Sequence, residues 1–315
     1  MSWNPTHLPD QHGRTAVVTG GSAGIGYHVA EQLAAAGAHV IVAARSPQRT
    51  EAAVASIRGQ VPGASVEGIP LDLADLVSVQ QAAAGLQRRG PVDILVNNAG
   101  VTSGAERTET ADGFETMFGT NHLGHFALTL QLLPALLERP TGRVVTLGSL
   151  THTRAALTLD DLQSFHSYRS MRVYGRSKLA ALLFAFELDR RLRAAGSPAV
   201  SLAAHPGWAV GELDPARPPV WSPTTAQRLR GAALALMAQS KQRGAWPVVR
   251  AALDPLAAGG RYYGPGGVGK LKGAPVAQRA ADHAYDHSVA ARLWDISETL
   301  TGVCWPLKEE EPAKR

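Results

Sequence analysis

Lysine is scarce in this chain and cysteine almost absent. Of 31 basic residues only six are lysines, and Lys178 is the only one in the first 240 positions. The single cysteine, Cys304, excludes an internal disulfide and fits a reducing compartment, so a cytoplasmic protein is expected. No block of five or six consecutive basic residues is present. A net charge of +5 therefore reads as a solvated surface and gives no support to a nucleic-acid partner. Long hydrophobic runs are missing too. The most apolar stretches, "FALTLQLLPALL" and "LAALLFAFEL", fall short of the ~18 residues that span a bilayer and read as buried helices, with no membrane span. The N-terminus "MSWNPTHLPDQHGR" lacks a basic segment followed by an apolar core, so no signal peptide is expected. Residues 306–315 are polar and proline-broken and read as a solvated tail.

What is present is a regular alternation. "TAVVTGGSAGIGYHVAEQLAAAGAHVIVAARS" reads as strand, glycine-rich turn, helix ending at Gly37, and strand. Helix "SPQRTEAAVASIRGQV", strand "SVEGIPLDL", helix "ADLVSVQQAAAGLQRRG" and strand "VDILVNNAG" follow. A helix over 111–139, strand "GRVVTLGSL", a helix from Tyr174 and strand "AVSLAAHPG" continue the pattern. Apolar strands separated by helices predict an α/β fold, a Rossmann-type doubly wound parallel sheet with helices on both faces. With 45% hydrophobic and 18% charged residues and no linker, 1–315 is expected to form a single domain. After Gly207 the alternation stops. Residues 205–256, with "DPARPPVWSP", a helical "TTAQRLRGAALALMAQS" and an apolar "GAWPVVRAALDP", read as a lid. "GGRYYGPGG" reads as a turn before a last helix, "DHSVAARLWDISETL".

The first glycine-rich turn lies between a strand and a helix. Glycines there permit tight turning and close backbone approach, and leave the helix N–H groups free for a pyrophosphate. Gly20, Ser22, Gly24, Ile25 and Gly26 are thus candidate dinucleotide ligands. Where the second strand ends in "VAARS", no acidic residue is available for a ribose 2′-hydroxyl. Ala44 leaves room for a 2′-phosphate and Arg45 offers a guanidinium to pair with it, so NADP(H) is expected in preference to NAD(H).

In "YGRSKLAALLF", Lys178 stands four residues after Tyr174, which places a phenol and an ammonium on one helix face. A phenol with a pKa of ~10 exchanges protons poorly near neutrality. An ammonium at ~4 Å, at an effective dielectric of ~20, is worth about 4 kcal/mol, or roughly three pKa units. That is an upper value, because burial pushes a phenol the other way. Ser149 follows the strand "RVVTLG" and is placed to donate a hydrogen bond beside Tyr174. Taken singly, Ser149 also reads as a strand-end cap, Asn121 as a helix-interior polar group and Tyr174 as a half-buried aromatic. Their joint order carries the inference.

"TGGSAGIG", "NNAG" at 97–100, Asn121, Ser149 and "YGRSK", in this order from about residue 14 to 208, resemble the short-chain dehydrogenase/reductase family. "NHLGHFAL", "AAHPG" and "YYGPGG…RLWDISETLTG" are similar to its retinol-dehydrogenase and protochlorophyllide-reductase-like branch. The resemblance implies a sheet of about seven parallel strands and a catalytic set Asn121, Ser149, Tyr174 and Lys178, with Asn121 holding a water that links Lys178 to solvent. It further implies that Asp72 contacts the adenine, that Asn98 braces the sheet, and that Leu73, Asn98, Ala99, Gly100, Tyr174, Lys178, Pro206 and Gly207 approach the cofactor. One position departs from the family pattern. Gly211 stands where a threonine usually holds the nicotinamide carboxamide, which leaves two alternatives: backbone groups at Val210 replace that contact, or the nicotinamide is held more loosely. Gly148 stands where many relatives have a second serine. The family often assembles as dimers or tetramers through its two central helices, a surface the additional C-terminal segment is placed to cover.

His122 and His125 are spaced i, i+3, but zinc sites want three or four protein ligands and none joins them at motif spacing, so no metal is expected. Leu150, Phe165, Trp208, Leu213 and Trp221 make an apolar, aromatic substrate wall, which favours an apolar alcohol or carbonyl compound. Two other readings stay open: a cofactor-binding regulator without turnover, and a double-bond reductase or epimerase on the same scaffold.

Overall fold

A computed structural model describes residues 3–307 of the chain. The first half alternates strictly: β1 (Thr15–Thr19), α1 (Gly24–Ala35), β2 (His39–Ala44), α2 (Pro47–Gln60), β3 (Val66–Pro70), α3 (Leu76–Gln87) and β4 (Ile94–Asn97). Next come α4 (Thr116–Phe118), a π-turn (Gly119–Leu123), α5 (Gly124–Leu137), β5 (Arg143–Leu147), α6 (Ser170–Ala194) and β6 (Val200–Ala204). The remainder holds β7 (Ala209–Val210), α7 (Thr225–Leu234), β8 (Gln239–Ser240), α8 (Lys241–Gly244), α9 (Trp246–Leu253), β9 (Tyr262–Pro265), β10 (Pro275–Gln278) and α10 (His287–Thr301).

The main sheet runs β10-β9-β6-β5-β4-β1-β2-β3. Seven of its strands are parallel and β10 pairs antiparallel to β9, so the expected seven-stranded sheet carries an eighth strand at its edge. The apolar strands bury both faces, as parallel strands between helical layers must. In β1, Ala16 and Val18 point into a core shared with α1 and α9, while Val17 points into one shared with α3 and α5. α10 lies over α5 and α6: the Trp294 ring stacks on Phe184 at 5.8 Å and meets Phe126 edge-on at 5.0 Å.

Three expectations require correction. "YYGP" is the buried strand β9, not part of a turn. Its Gly264 is small because a Cβ there would lie 2.0 Å from His205 Nε2, so close approach and not turning demands the glycine. The helix expected over 111–139 starts at Thr116, because Gly113 turns the chain at φ 81° and Glu115 caps the N–H groups of Met117 and Phe118. The stretch read as a lid, 205–256, divides: α9 is buried in the core under the sheet, while the part up to β8 packs on the edge of that core at Val220. From residue 308 the polar tail falls outside the described residues.

Candidate active site

A cleft of about 670 Å³ opens at the carboxyl ends of the central strands. This is where ligands bind in doubly wound sheets. At one end the loop after β1 turns into α1, with φ of 64° at Gly20 and 60° at Gly24. A Cβ on Gly26 would fall 2.5 Å from the Gly20 carbonyl oxygen, so the turn closes only on glycine. Ser46 and Asp75 cap α2 and α3, yet α1 has no capping side chain and no acidic residue in its first turn. Its N–H groups and the positive end of its dipole therefore face the cleft unopposed, which suits a diphosphate. Ser22, Ile25, Asp72 and Leu73 also line the cleft. Arg45 lines it together with Ser46 and Arg49, which sequence reading had passed over. Arg49, one helical turn beyond Arg45, could have been found by its spacing.

The floor is built on Thr19. Its hydroxyl accepts the N–H groups of Asn98 and Ala99, each at 3.0 Å, and its carbonyl accepts Asn98 Nδ2 at 2.8 Å. His125 donates from Nδ1 to the Asn121 carbonyl at 3.2 Å and contacts Thr19 Oγ1 through Nε2 at 2.9 Å. His122 Nε2 meets Ser297 Oγ at 2.8 Å. Burial lowers both imidazoles to about 3, so they are neutral parts of the fold. Among the described residues no cluster of three or more His, Cys, Asp or Glu side chains is placed to hold a metal.

Asn121 sits in the π-turn, a helix irregularity often found at functional sites. Its Nδ2 donates to Ser177 Oγ at 3.0 Å, which ties it to α6. Along α6, Tyr174 and Lys178 both face the cleft, as does Ser149 after β5. Ser149 Oγ accepts the Thr151 N–H at 3.3 Å and caps the short turn that follows. Burial raises the Tyr174 pKa, and hydrogen bonding to Ser149 opposes this. Lys178 is buried, donates from Nζ to the Leu147 carbonyl at 3.0 Å, and is lowered to about 8 by burial. Its ammonium stands 6.0 Å from the Tyr174 ring centre. The sequence predicted a phenol pulled down by an adjacent ammonium. Here the ammonium is turned toward β5 and burial dominates the phenol. Gly100 lies between the two arms, 3.3 Å from Lys178 Nζ and 3.4 Å from Asn121 Oδ1 measured from its Cβ position.

Pro206, Gly207 and Trp208 close the far side, and Lys241 enters from outside every motif. Lysine scarcity, which singled out Lys178, would have flagged it as well. Of the expected substrate wall only Trp208 lines the cleft. Leu150 is half-buried on its own turn, and Phe165 is 68% exposed beneath the Arg107 guanidinium. Leu213 lines a separate groove. Trp221 is outside the cleft lining and lies 3.8 Å from a Cβ position on Gly211. Gly148 faces Leu182: a Cβ there would be 2.8 Å from Leu182 Cδ2. No helix among the described residues is long and apolar enough to cross a membrane.

The arrangement matches known proteins. The family model for short chain dehydrogenases matches residues 14–206. Polyprenol dehydrogenase of Mus musculus is 42% identical over 307 residues, covering 95% of this chain and 87% of the relative. Retinol dehydrogenase 13 of Homo sapiens is 38% identical over 307 residues, covering 96% and 89%. A short chain dehydrogenase from Burkholderia cenocepacia J2315, solved in complex with NADP, superposes with a TM-score of 0.61 at 27% identity, covering 80% of this chain and 95% of that one. A glycine loop closing on an uncapped helix, a Tyr-Lys pair beside Ser149, and this likeness along the chain have one reading: the protein is an oxidoreductase that belongs to the short chain dehydrogenase family.

Proposed function

We propose that the protein interconverts an alcohol and a carbonyl on an apolar substrate with NADP(H), using Tyr174 as the acid/base. The observation that carries this reading is that Ser149, Tyr174 and Lys178 share one cleft with the uncapped N-terminus of α1. When bound, the nicotinamide supplies or accepts the hydride. Tyr174 then holds the proton that passes between its hydroxyl and the substrate oxygen, and the Ser149 hydroxyl stabilises charge on that oxygen. The Lys178 ammonium stabilises the phenolate as it forms, and because it titrates near 8 it can exchange a proton close to working pH. Asn121 fixes the backbone on which Lys178 and Gly100 meet.

Arg45, Ser46 and Arg49 at the start of α2 favour a 2′-phosphate, and a structural relative holds NADP. Two relatives named for polyprenol and retinol, both apolar alcohols, support an apolar substrate. Trp208 is its candidate contact, and the segment from Trp208 to Ser240 is the lid within one domain. Assembly as a dimer or tetramer through α5 and α6 would require displacing Trp294 from Phe126 and Phe184. The lone cysteine, exposed and unpaired, supports a cytoplasmic setting.

The test is NADPH absorbance decay with a panel of apolar aldehydes, ketones and enones, for the wild type and Tyr174→Phe. Carbonyl turnover that the variant loses while still binding NADPH is expected. Turnover confined to enones would favour double-bond reduction, and tight NADPH binding without any turnover would favour a regulator.

A further inference from the structure

The short sheet of β7 and β8 aligns Val210 with Ser240, so the residues that follow, Gly211 and Lys241, come side by side. The Lys241 backbone N–H is held by the Asp214 carboxylate at 2.6 Å. Its ammonium lies 3.9 Å from the Cβ position of Gly24, the first residue of α1, and 3.3 Å from that of Gly211. A cation therefore stands over the positive end of an uncapped helix. Those two charges repel unless an anion lies between them. Glu212, whose carboxylate senses Lys241, is paired with Arg230. Among the described residues no carboxylate pairs with Lys241. Lys241 also lies outside the residues matched by the family model, so no motif assigns it a role.

We propose that Lys241 binds the diphosphate bridge of the dinucleotide against the N-terminus of α1, and that position 211 is glycine because the lysine occupies the space. A threonine at 211 would set its branched atoms against an ammonium that a bare Cβ already approaches to 3.3 Å. This inference rests on the dinucleotide reading above and adds the residue that grips the middle of the ligand.

The experiment measures equilibrium binding of NADPH, 2′-phospho-ADP-ribose and adenosine 2′-phosphate to the wild type, Lys241→Met, Lys241→Arg and Gly211→Thr. Loss of one charge-assisted contact is expected to weaken both diphosphate ligands about 10- to 100-fold in Lys241→Met. Adenosine 2′-phosphate, which has no diphosphate, is expected to bind unchanged, and the salt dependence of NADPH binding to shrink. Lys241→Arg is expected to retain most of the affinity. Gly211→Thr is expected to weaken NADPH binding when Lys241 is present and to add nothing in Lys241→Met. NADPH binding within twofold of wild type in folded Lys241→Met, or equal losses for all three ligands, would overturn the proposal. Wild-type protein that binds none of the three would instead refute the dinucleotide reading beneath it.

Discussion

The Asn121 side chain grips the backbone of Val101 in both directions: Oδ1 accepts its N–H at 2.7 Å and Nδ2 donates to its carbonyl at 3.0 Å. The pairing imitates a strand neighbour. It fixes the chain just after Gly100, at the point where Lys178 approaches.

Replacing Asn121 by Leu strands a part-buried N–H and a part-buried carbonyl, each costing about 1–2 kcal/mol, the lower part of the range for an unsatisfied polar group. Asn121→Leu is therefore expected to be less stable than wild type by about 2–4 kcal/mol, with kcat reduced about 100-fold by misplacement of the site. Asn121→Asp, which keeps the acceptor and loses the donor, is expected to fall between them. Urea denaturation together with steady-state kinetics measures both effects, and a Leu variant with wild-type kcat would show that the grip is irrelevant to catalysis.

Lys178 is held charged where charge is disfavoured. Burial lowers its pKa from 10.5 to about 8. Between about pH 8 and 10.5 the unfolded chain binds more protons, so stability rises with pH across that window. Below pH 8 the full cost is present, about 3 kcal/mol for 10.5 − 8 pKa units. Lys178→Met is expected to be inactive yet more stable than wild type at pH 7, with the gap closing toward pH 10.5. Denaturation at pH 7 and pH 10 checks this, and a gap independent of pH would contradict it.

His122 and His125 work in the opposite pH range. Each is lowered from 6.5 to about 3, so below pH 6.5 the unfolded chain takes up protons that the folded chain refuses. Stability then falls with acid by about 1.4 kcal/mol per pH unit for each histidine. His122→Gln, which keeps a donor for Ser297, is expected to lessen the decline between pH 6 and pH 4.5 by that amount. An unchanged slope would mean that the imidazole is not buried neutral.

Arg45 and Arg49 are expected to share the 2′-phosphate. Arg45→Asp should lower the preference for NADPH over NADH by about 100-fold or more, and Arg49→Ala by about 10-fold, in keeping with charge-assisted contacts of ~1.5–3 kcal/mol. Kd values for the two cofactors measure it. A variant Arg45→Asp that keeps its NADPH affinity would place the phosphate elsewhere.

Much of this is legible in the chain itself, for identifiable reasons. The βαβ order, the glycine turn and the Tyr174-Lys178 face depend on periods of two and 3.6 residues, which a chain displays locally. β9 escaped because its glycine and proline were read as turn residues, when Gly264 is small to admit His205. The substrate wall, of which only Trp208 lines the cleft, was hard to read for a related reason. Phe165 and Leu213 are apolar and near the right motifs, but which side of a loop faces the cleft is not a local property.

By itself the sequence determined the parallel α/β order, the loop that must turn on glycine and the residues able to do the chemistry, because each follows from neighbours within a few positions. Only the tertiary structure decided that the Lys178 ammonium turns to Leu147, that burial outweighs the Ser149 hydrogen bond at Tyr174, and that Lys241 comes beside Gly24 from more than two hundred residues away. Those outcomes depend on desolvation and on distances between segments far apart in the chain, and both exist only once the layers have packed.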